Sequence, residues 1–213
     1  MTGGENLTFD NLDPEKYEKW HETKEGLYFD RREKKLIIEM INPELGESLI
    51  EIGCGTGHFL KGLKNFGLRL TGVDSSRRMI EYASKNLGRD IKLKVEDAKN
   101  LSFKDNSFDI AVFITTLEFL DNPRRAIKEA LRISKKKVFI GFLNKLSLLA
   151  IKRRIKGLFK DSIYNKATFY SVFQIEKIIR SINDEIKVTT RGIKTKLGSN
   201  ILLSPFVGVL IER

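Results

Sequence analysis

Ser48-Leu49-Ile50-Glu51-Ile52-Gly53-Cys54-Gly55-Thr56-Gly57 is a short apolar run that breaks into three glycines in five residues. The run reads as a buried strand and the glycines as a tight turn into a helix through about Lys64. Glycine lets the backbone turn sharply and approach a ligand closely, and the free N–H groups of a helix start face an anion. Dinucleotide-binding folds use similar glycine spacing, so the turn alone leaves the ligand open.

Working outward, strands and helices alternate. Leu68 to Val73 reads as a second strand, Ser76 to Asn86 as a helix, Ile91 to Val95 as a third strand and Phe108 to Phe113 as a fourth. Asn122-Pro123 opens a helix to Ile133, and Val138 to Phe142 is a fifth strand. This alternation implies a parallel sheet covered on both faces. Ser171-Val172-Phe173-Gln174 has the form of a capping box. The last two strands, about Ile186 to Ile193 and Phe206 to Ile211, have no helix between them and predict an antiparallel edge pair. The fold class expected is α/β, Rossmann-like and doubly wound, with a seven-stranded, mostly parallel sheet ending in that pair.

Upstream, Asp13-Pro14 starts a short helix to about Thr23, and a second runs from about Tyr28 to Ile41, ended by Asn42-Pro43. The expected organisation is one domain over 1–213, which suits 213 residues. Within it, 1–45 form a helical cap, 46–142 a cofactor-binding core, 143–170 a basic helical insertion and 171–213 a helix with the strand pair.

Hydrophobic residues make up 41% and charged residues 31%, an ordinary globular balance. No apolar run reaches the ~18 residues that cross a bilayer, and the first residues lack a signal pattern, so a cytoplasmic protein is expected. A lone Cys54 excludes an internal disulfide, and two histidines, His21 and His58, are too few for the usual His/Cys zinc sites, so no metal is expected. The net charge is +11, and residues 134–166 carry ten cations against Asp161 alone, nine of the eleven net charges. Leu148, Ile151, Ile155, Leu158 and Phe159 fall on one helical stripe there, and Lys152, Arg153, Lys156 and Lys160 on another side. This segment reads as a lid helix or as a surface for an anionic substrate, nucleic acid or an anionic membrane.

Three strand ends converge on the glycine turn. Asp74 closes the second strand, where a carboxylate can accept from both hydroxyls of a ribose. Glu96-Asp97-Ala98 follows the third, and Ser107-Phe108-Asp109 opens the fourth. In open α/β sheets the crevice beyond such ends is where ligands bind.

With these elements in order, the chain resembles the class I S-adenosylmethionine-dependent methyltransferases, most closely the methyltransferase type 11 branch that includes ubiquinone and menaquinone biosynthesis enzymes. The resemblance rests on Glu51 to Gly57, Gly72-Val73-Asp74-Ser75-Ser76, Glu96-Asp97-Ala98 and Leu117-Glu118-Phe119-Leu120-Asp121. It is clear from about Ser48 to Phe142 and looser beyond. It implies S-adenosylmethionine as cofactor, with S-adenosylhomocysteine as product. Glu51, Gly53, Cys54, Gly55 and Gly57 would hold the methionine end, Asp74 with Ser75 the ribose, and Asp97, Ala98 and Met79 the adenine, with Phe113, Ile114 and Thr115 passing beneath. Phe119 stands where relatives often have His, which excludes a histidine role there. Ser134-Lys135-Lys136-Lys137 replaces a usual Gly-Gly turn before the fifth strand and is expected as an altered loop.

The implied chemistry is in-line methyl transfer to an acceptor, expected to be a small molecule. Candidate catalytic groups are His21, Tyr28 and Glu118; Tyr164 and Tyr170 are candidate pocket residues. A basic RNA- or membrane-associated protein acting on a macromolecule or lipid, a non-catalytic binding module and a dinucleotide-dependent oxidoreductase remain alternatives.

Overall fold

The computed structural model describes residues 13–147, 167–194 and 200–213. Two helices, α1 (Pro14–Glu22) and α2 (Lys24–Ile41), precede β1 (Ser48–Ile52), α3 (His58–Leu63), β2 (Arg69–Asp74), α4 (Arg77–Leu87), β3 (Lys92–Val95) and β4 (Phe108–Ile114). Then follow α5 (Pro123–Ile133), β5 (Ser134–Leu143), α6 (Val172–Arg180), β6 (Val188–Gly192) and β7 (Phe206–Glu212). The strands form one seven-stranded sheet in the order β3-β2-β1-β4-β5-β7-β6. Strands β1 to β5 are mutually parallel, β7 is antiparallel to β5 and β6 antiparallel to β7, as the sequence predicts.

Side-chain alternation along the strands builds two cores, one on each face. Ile50 and Ile52 of β1, with Phe113, Ile140 and Val209, pack on one face under α5 and α6. Leu49, Ile110, Val112 and Phe139 face the other side, under Ile37, Met40 and Ile41 of α2 and Leu60, Leu63, Ala83 and Leu87 of α3 and α4. The caps explain where the helices start. Asp13 accepts from Glu15 N–H, Ser76 from Met79 N–H, Asn122 from Arg125 N–H, and the Ser171–Gln174 capping box closes in both directions.

Two expectations need correction. The second helix begins at Lys24, not near Tyr28, because Thr23 serves both helices: its N–H donates to Trp20 O at 3.1 Å and its Oγ1 accepts from Gly26 N–H at 3.0 Å. Ser134 to Lys137 is not a loop. It is the start of β5, with Ser134 paired to Phe108 and Lys137 to both Ile110 and Glu212. Strand geometry is possible because every lysine finds a partner: Lys135 reaches Asp109 at 3.9 Å, Lys136 reaches Glu47 at 2.6 Å, and Lys137 donates to Ile41 O at 2.7 Å. These three cations therefore sit at the N-terminal edge of the sheet, opposite the glycine turn. The basic stripe expected over 148–166, with Tyr164, lies outside the described residues. Among the described residues, no helix is long and apolar enough to cross a membrane.

Candidate active site

Beyond the C-terminal ends of β1 to β5 lies a cavity of about 440 Å³, at the point where strand order reverses between β1 and β4, the usual ligand crevice of such sheets. One wall is the glycine turn and the strand tips; the other is α1 with the Asp30–Ile37 part of α2.

The turn is shaped by its glycines. Gly53, Gly55 and Gly57 have φ of 77°, 51° and 78°, a region where a side chain is strained. Gly53 and Cys54 donate their N–H groups to Val73 O at 2.8 and 2.9 Å. A Cβ on Gly53 would stand 2.1 Å from Thr116 Cγ2, and one on Gly57 2.4 Å from Leu87 Cδ1, while none would meet an atom within 4 Å at Gly55. Gly55 thus leaves open space at the cavity, and Gly57 secures packing behind it.

Of the thirteen residues expected at the cofactor, eleven line this one cavity: Glu51, Gly53, Cys54, Gly55, Asp74, Ser75, Met79, Asp97, Ala98, Ile114 and Thr115. Gly57 does not, and Phe113 is fully buried in the core beneath α5. Asp74, nearly buried, accepts from Gly55 N–H at 2.8 Å and from Ser76 N–H at 2.9 Å. Asp97 accepts from Lys99 N–H at 2.8 Å, and its other carboxylate oxygen lies 3.8 Å from Lys99 Nζ. Glu51 is buried with Oε2 lacking any hydrogen-bond partner, and burial pushes its carboxyl well above the usual range. Thr115 has φ of 49°, unfavourable for a β-branched residue, at the cavity's edge.

The catalytic candidates separate. His21 lines the cavity. Tyr28 does not; its ring carries the Arg32 guanidinium at 3.7 Å. Glu118 is also set back: it is buried, accepts from Leu143 N–H at 2.7 Å through Oε1, and burial raises its carboxyl to about 7. Tyr170 is buried in the core beneath α5 and α6, while Phe119 faces the cavity.

A polar cluster on the helical wall was not anticipated. Thr56 donates to Glu18 Oε1 at 2.5 Å; His58 places Nδ1 3.3 Å from Glu18 and Nε2 2.9 Å from Asp30. Lys34 Nζ binds Asp30 at 3.0 Å and stands 2.9 Å from His58 Nε2. Burial opposes a charge on His58, but the hydrogen bonds it donates to Asp30 and Glu18 outweigh it and raise the ring to about 9. The His21 ring stacks on it with centroids 3.8 Å apart and planes 14° apart; burial, then the His58 charge, lower His21 to about 4. One imidazole is charged and its neighbour neutral. The cluster ties α1 and α2 to the residue that follows the glycine turn. The signals in the sequence were the i, i+4 spacing of Asp30 and Lys34 and the position of His58 directly after Gly57, but the partner of each lies on another element.

Donor atoms of His21, Asp30 and His58 also fall within 4.8 Å of one another. An imidazole binds a metal in its ring plane, so two near-parallel stacked rings are poorly set to share one ion, and Lys34 already supplies the positive charge. The arrangement is that of an ion-pair cluster.

Comparison with known proteins agrees with this geometry. A family model described as a methyltransferase domain matches residues 50–141. An uncharacterised protein of Methanocaldococcus jannaschii is 33% identical over 179 residues, covering 82% of this chain and 80% of that protein. The demethylmenaquinone methyltransferase of Thermotoga maritima is 34% identical over 110 residues, 51% of this chain, which spans 48% of that enzyme. A crystal structure from the same organism, described as an S-adenosylmethionine-dependent methyltransferase and possible histamine N-methyltransferase, superposes with a TM-score of 0.73 at 29% identity, covering 96% of this chain and 97% of that one. Strand order, glycine turn and relatives together establish that this chain belongs to the class I S-adenosylmethionine-dependent methyltransferases.

Proposed function

We propose that the cavity holds S-adenosylmethionine and that the chain transfers its methyl group to a small-molecule acceptor. The observation that carries this reading is Glu51. A buried carboxyl with an unpartnered oxygen is costly, and a cationic ammonium beside it removes that cost while drawing its pKa back down. The methionine end of the cofactor carries such an ammonium.

In this reading Glu51, Gly53, Cys54 and Gly55 hold the methionine end, Asp74 and Ser75 the ribose, and Met79, Asp97 and Ala98 the adenine. Ile114 and Thr115 lie beneath, and Gly57 shapes the turn without touching the ligand. The bound sulfonium supplies an already activated methyl group. What the chain adds is alignment of a nucleophile and exclusion of water by α1 and α2.

A small acceptor fits the largely apolar end wall of Phe119, Leu120 and Leu143 and the closure of the opposite side by α1 and α2. Two similar proteins, by their names, act on or are suggested to act on small molecules, a quinone precursor and histamine. Lys135, Lys136 and Lys137 are engaged within the fold away from the cavity, which weakens a nucleic-acid or membrane reading of the basic segment.

The test is thermal unfolding with S-adenosylhomocysteine or NAD. A native-state ligand at a hundredfold its dissociation constant stabilises by about 2.7 kcal/mol. The first ligand should raise the melting temperature and the second leave it unchanged; the reverse would overturn the reading.

A further inference from the structure

Four residues of α2 line the cavity, Asp30, Glu33, Lys34 and Ile37, at the i, i+3, i+4, i+7 spacing of one helical face. Two of them turn to the cluster around His58. Asp30 lies 2.9 Å from its Nε2, and Lys34 Nζ binds Asp30 at 3.0 Å. Glu33 and Ile37 are the other pair, four positions apart and so neighbours on the helix surface. Glu33 is only half-buried, so a ligand in the cavity has access to its side chain.

The strand order places this pair. The residues assigned to the cofactor sit at the ends of β1, β2 and β3: Glu51 to Gly55 at the methionine end, Asp74 at the ribose and Asp97 at the adenine. Strands β4 and β5 lie on the other side of β1. There Phe119, after β4, and Leu143, at the end of β5, line the cavity. Ile37 packs in one core with Leu143. Glu118, which holds Leu143 N–H, has its carboxyl raised by burial first and by the Glu33 charge as well, so Glu33 reaches the same end. The part of the cavity beyond the cofactor thus has an apolar lining with the Glu33 carboxylate at its side.

We propose that Glu33 selects the methyl acceptor, its carboxylate holding an ammonium group on a small molecule whose apolar body lies against Ile37, Phe119 and Leu143. This rests on the cavity being the methyl-transfer site. An acceptor that fills this end displaces water from the carboxylate, which is costly for a charged group. An ammonium offsets that cost through a charge-assisted hydrogen bond; a hydroxyl does so only in part, and an anion adds repulsion. The carboxylate also offsets the repulsion between an ammonium and the nearby sulfonium. Lys34 and His58, the cations on the same wall, are held in their own ion pairs with Asp30 and Glu18.

A protonated amine has no lone pair, so the group held by Glu33 is not the atom that takes the methyl. It is a handle that turns a second, neutral nucleophile on the same molecule toward the sulfonium. The acceptor class is therefore a small bifunctional amine with an apolar body that carries the nucleophile.

The test uses the full chain saturated with S-adenosylhomocysteine and titrated calorimetrically with phenethylamine, phenethyl alcohol and phenylpropionate, which share one apolar body. The wild type should bind phenethylamine at least about tenfold more tightly than phenethyl alcohol, the worth of one hydrogen bond to a charged group. Phenylpropionate should bind most weakly. Glu33→Gln keeps the size of the side chain and should bring amine and alcohol within about threefold of each other. Glu33→Lys should move the preference to phenylpropionate. S-adenosylhomocysteine should bind all three proteins within about twofold, which separates a change at the acceptor end from damage to the fold. Equal affinity for amine and alcohol in the wild type, or no phenethylamine binding at millimolar concentration, overturns the proposal. So does an amine preference that survives in Glu33→Gln, which gives the ammonium to another carboxylate. A loss of S-adenosylhomocysteine affinity of about tenfold in Glu33→Gln also overturns it, by giving Glu33 to the cofactor. Failure of the wild type to bind S-adenosylhomocysteine at all would instead remove the methyltransferase reading beneath it.

Discussion

Gly55 donates its backbone N–H to Asp74 Oδ2 at 2.8 Å, which joins the turn after β1 to the tip of β2. The same carboxylate accepts from Ser76 N–H through its other oxygen, so it also sets the start of α4. Asp74 therefore both shapes the turn and lines the cavity.

Asp74→Ala should weaken S-adenosylhomocysteine binding by on the order of 100-fold, because two charge-assisted hydrogen bonds to a ribose are worth about 3 kcal/mol. It should also cost about 1–2 kcal/mol of stability by leaving the Gly55 and Ser76 N–H groups unpaired. Calorimetric titration measures the first and denaturant unfolding the second. Wild-type affinity in the variant would take Asp74 out of the ligand site.

Gly55→Ala and Gly57→Ala should fail in different ways. Both impose a left-handed conformation on a side chain, at about 1–2 kcal/mol. At Gly57 the new methyl also meets Leu87, and a total loss of about 2–4 kcal/mol is expected with ligand affinity retained in the molecules that stay folded. At Gly55 the methyl enters open cavity space, so stability falls little beyond the backbone strain while affinity drops at least tenfold. Equal affinity losses in the two variants would contradict this division.

The same contrast shows what the sequence could and could not reveal. The strand positions and the glycine turn follow from local signals, short apolar runs alternating with helices and glycines placed where φ is positive, so the core elements were legible from β1 to β5, whereas the order of the strands came only with the structure. Ser134 to Lys137 was misjudged because three lysines in a row look like a loop until Asp109, Glu47 and Ile41 O are brought beside them by other elements. The wall of α1 and α2 was least legible. Glu18, Asp30, Lys34, Thr56 and His58 are unremarkable one by one, and their meaning arises from contacts spanning up to 40 positions.

The stacked histidines should titrate far apart. The NMR signals of two imidazoles are simple to assign, and His21 should titrate near pH 4 and His58 near pH 9. Since His58 is raised from 6.5, its contribution to stability is complete below pH 6.5 and disappears as pH rises through 9. The stability advantage of wild type over His58→Gln should therefore shrink across that interval. A shift of this size would correspond to about 3 kcal/mol, which partial exposure of the ring reduces to about 1–2 kcal/mol. Two midpoints together near 6.5 would show that the cluster does not form in solution.

Glu118 offers a prediction of opposite origin, since its carboxyl is raised by burial rather than by an ion pair. Oε1 holds Leu143 N–H, and Oε2 is buried without a partner. Between pH 4.5 and 7 the folded chain keeps this carboxyl protonated while the unfolded chain ionises it. The folded state then binds more protons, and the stability it draws from this group falls as pH rises through the interval. Glu118→Gln stays neutral and retains an acceptor for Leu143, so it avoids this loss. Relative to wild type it should gain up to about 3 kcal/mol between pH 4.5 and 7 and nothing further above pH 8. Urea unfolding of both proteins across that range measures the difference. A flat difference would mean that Glu118 is ionised throughout and that a positive partner reaches Oε2 in solution.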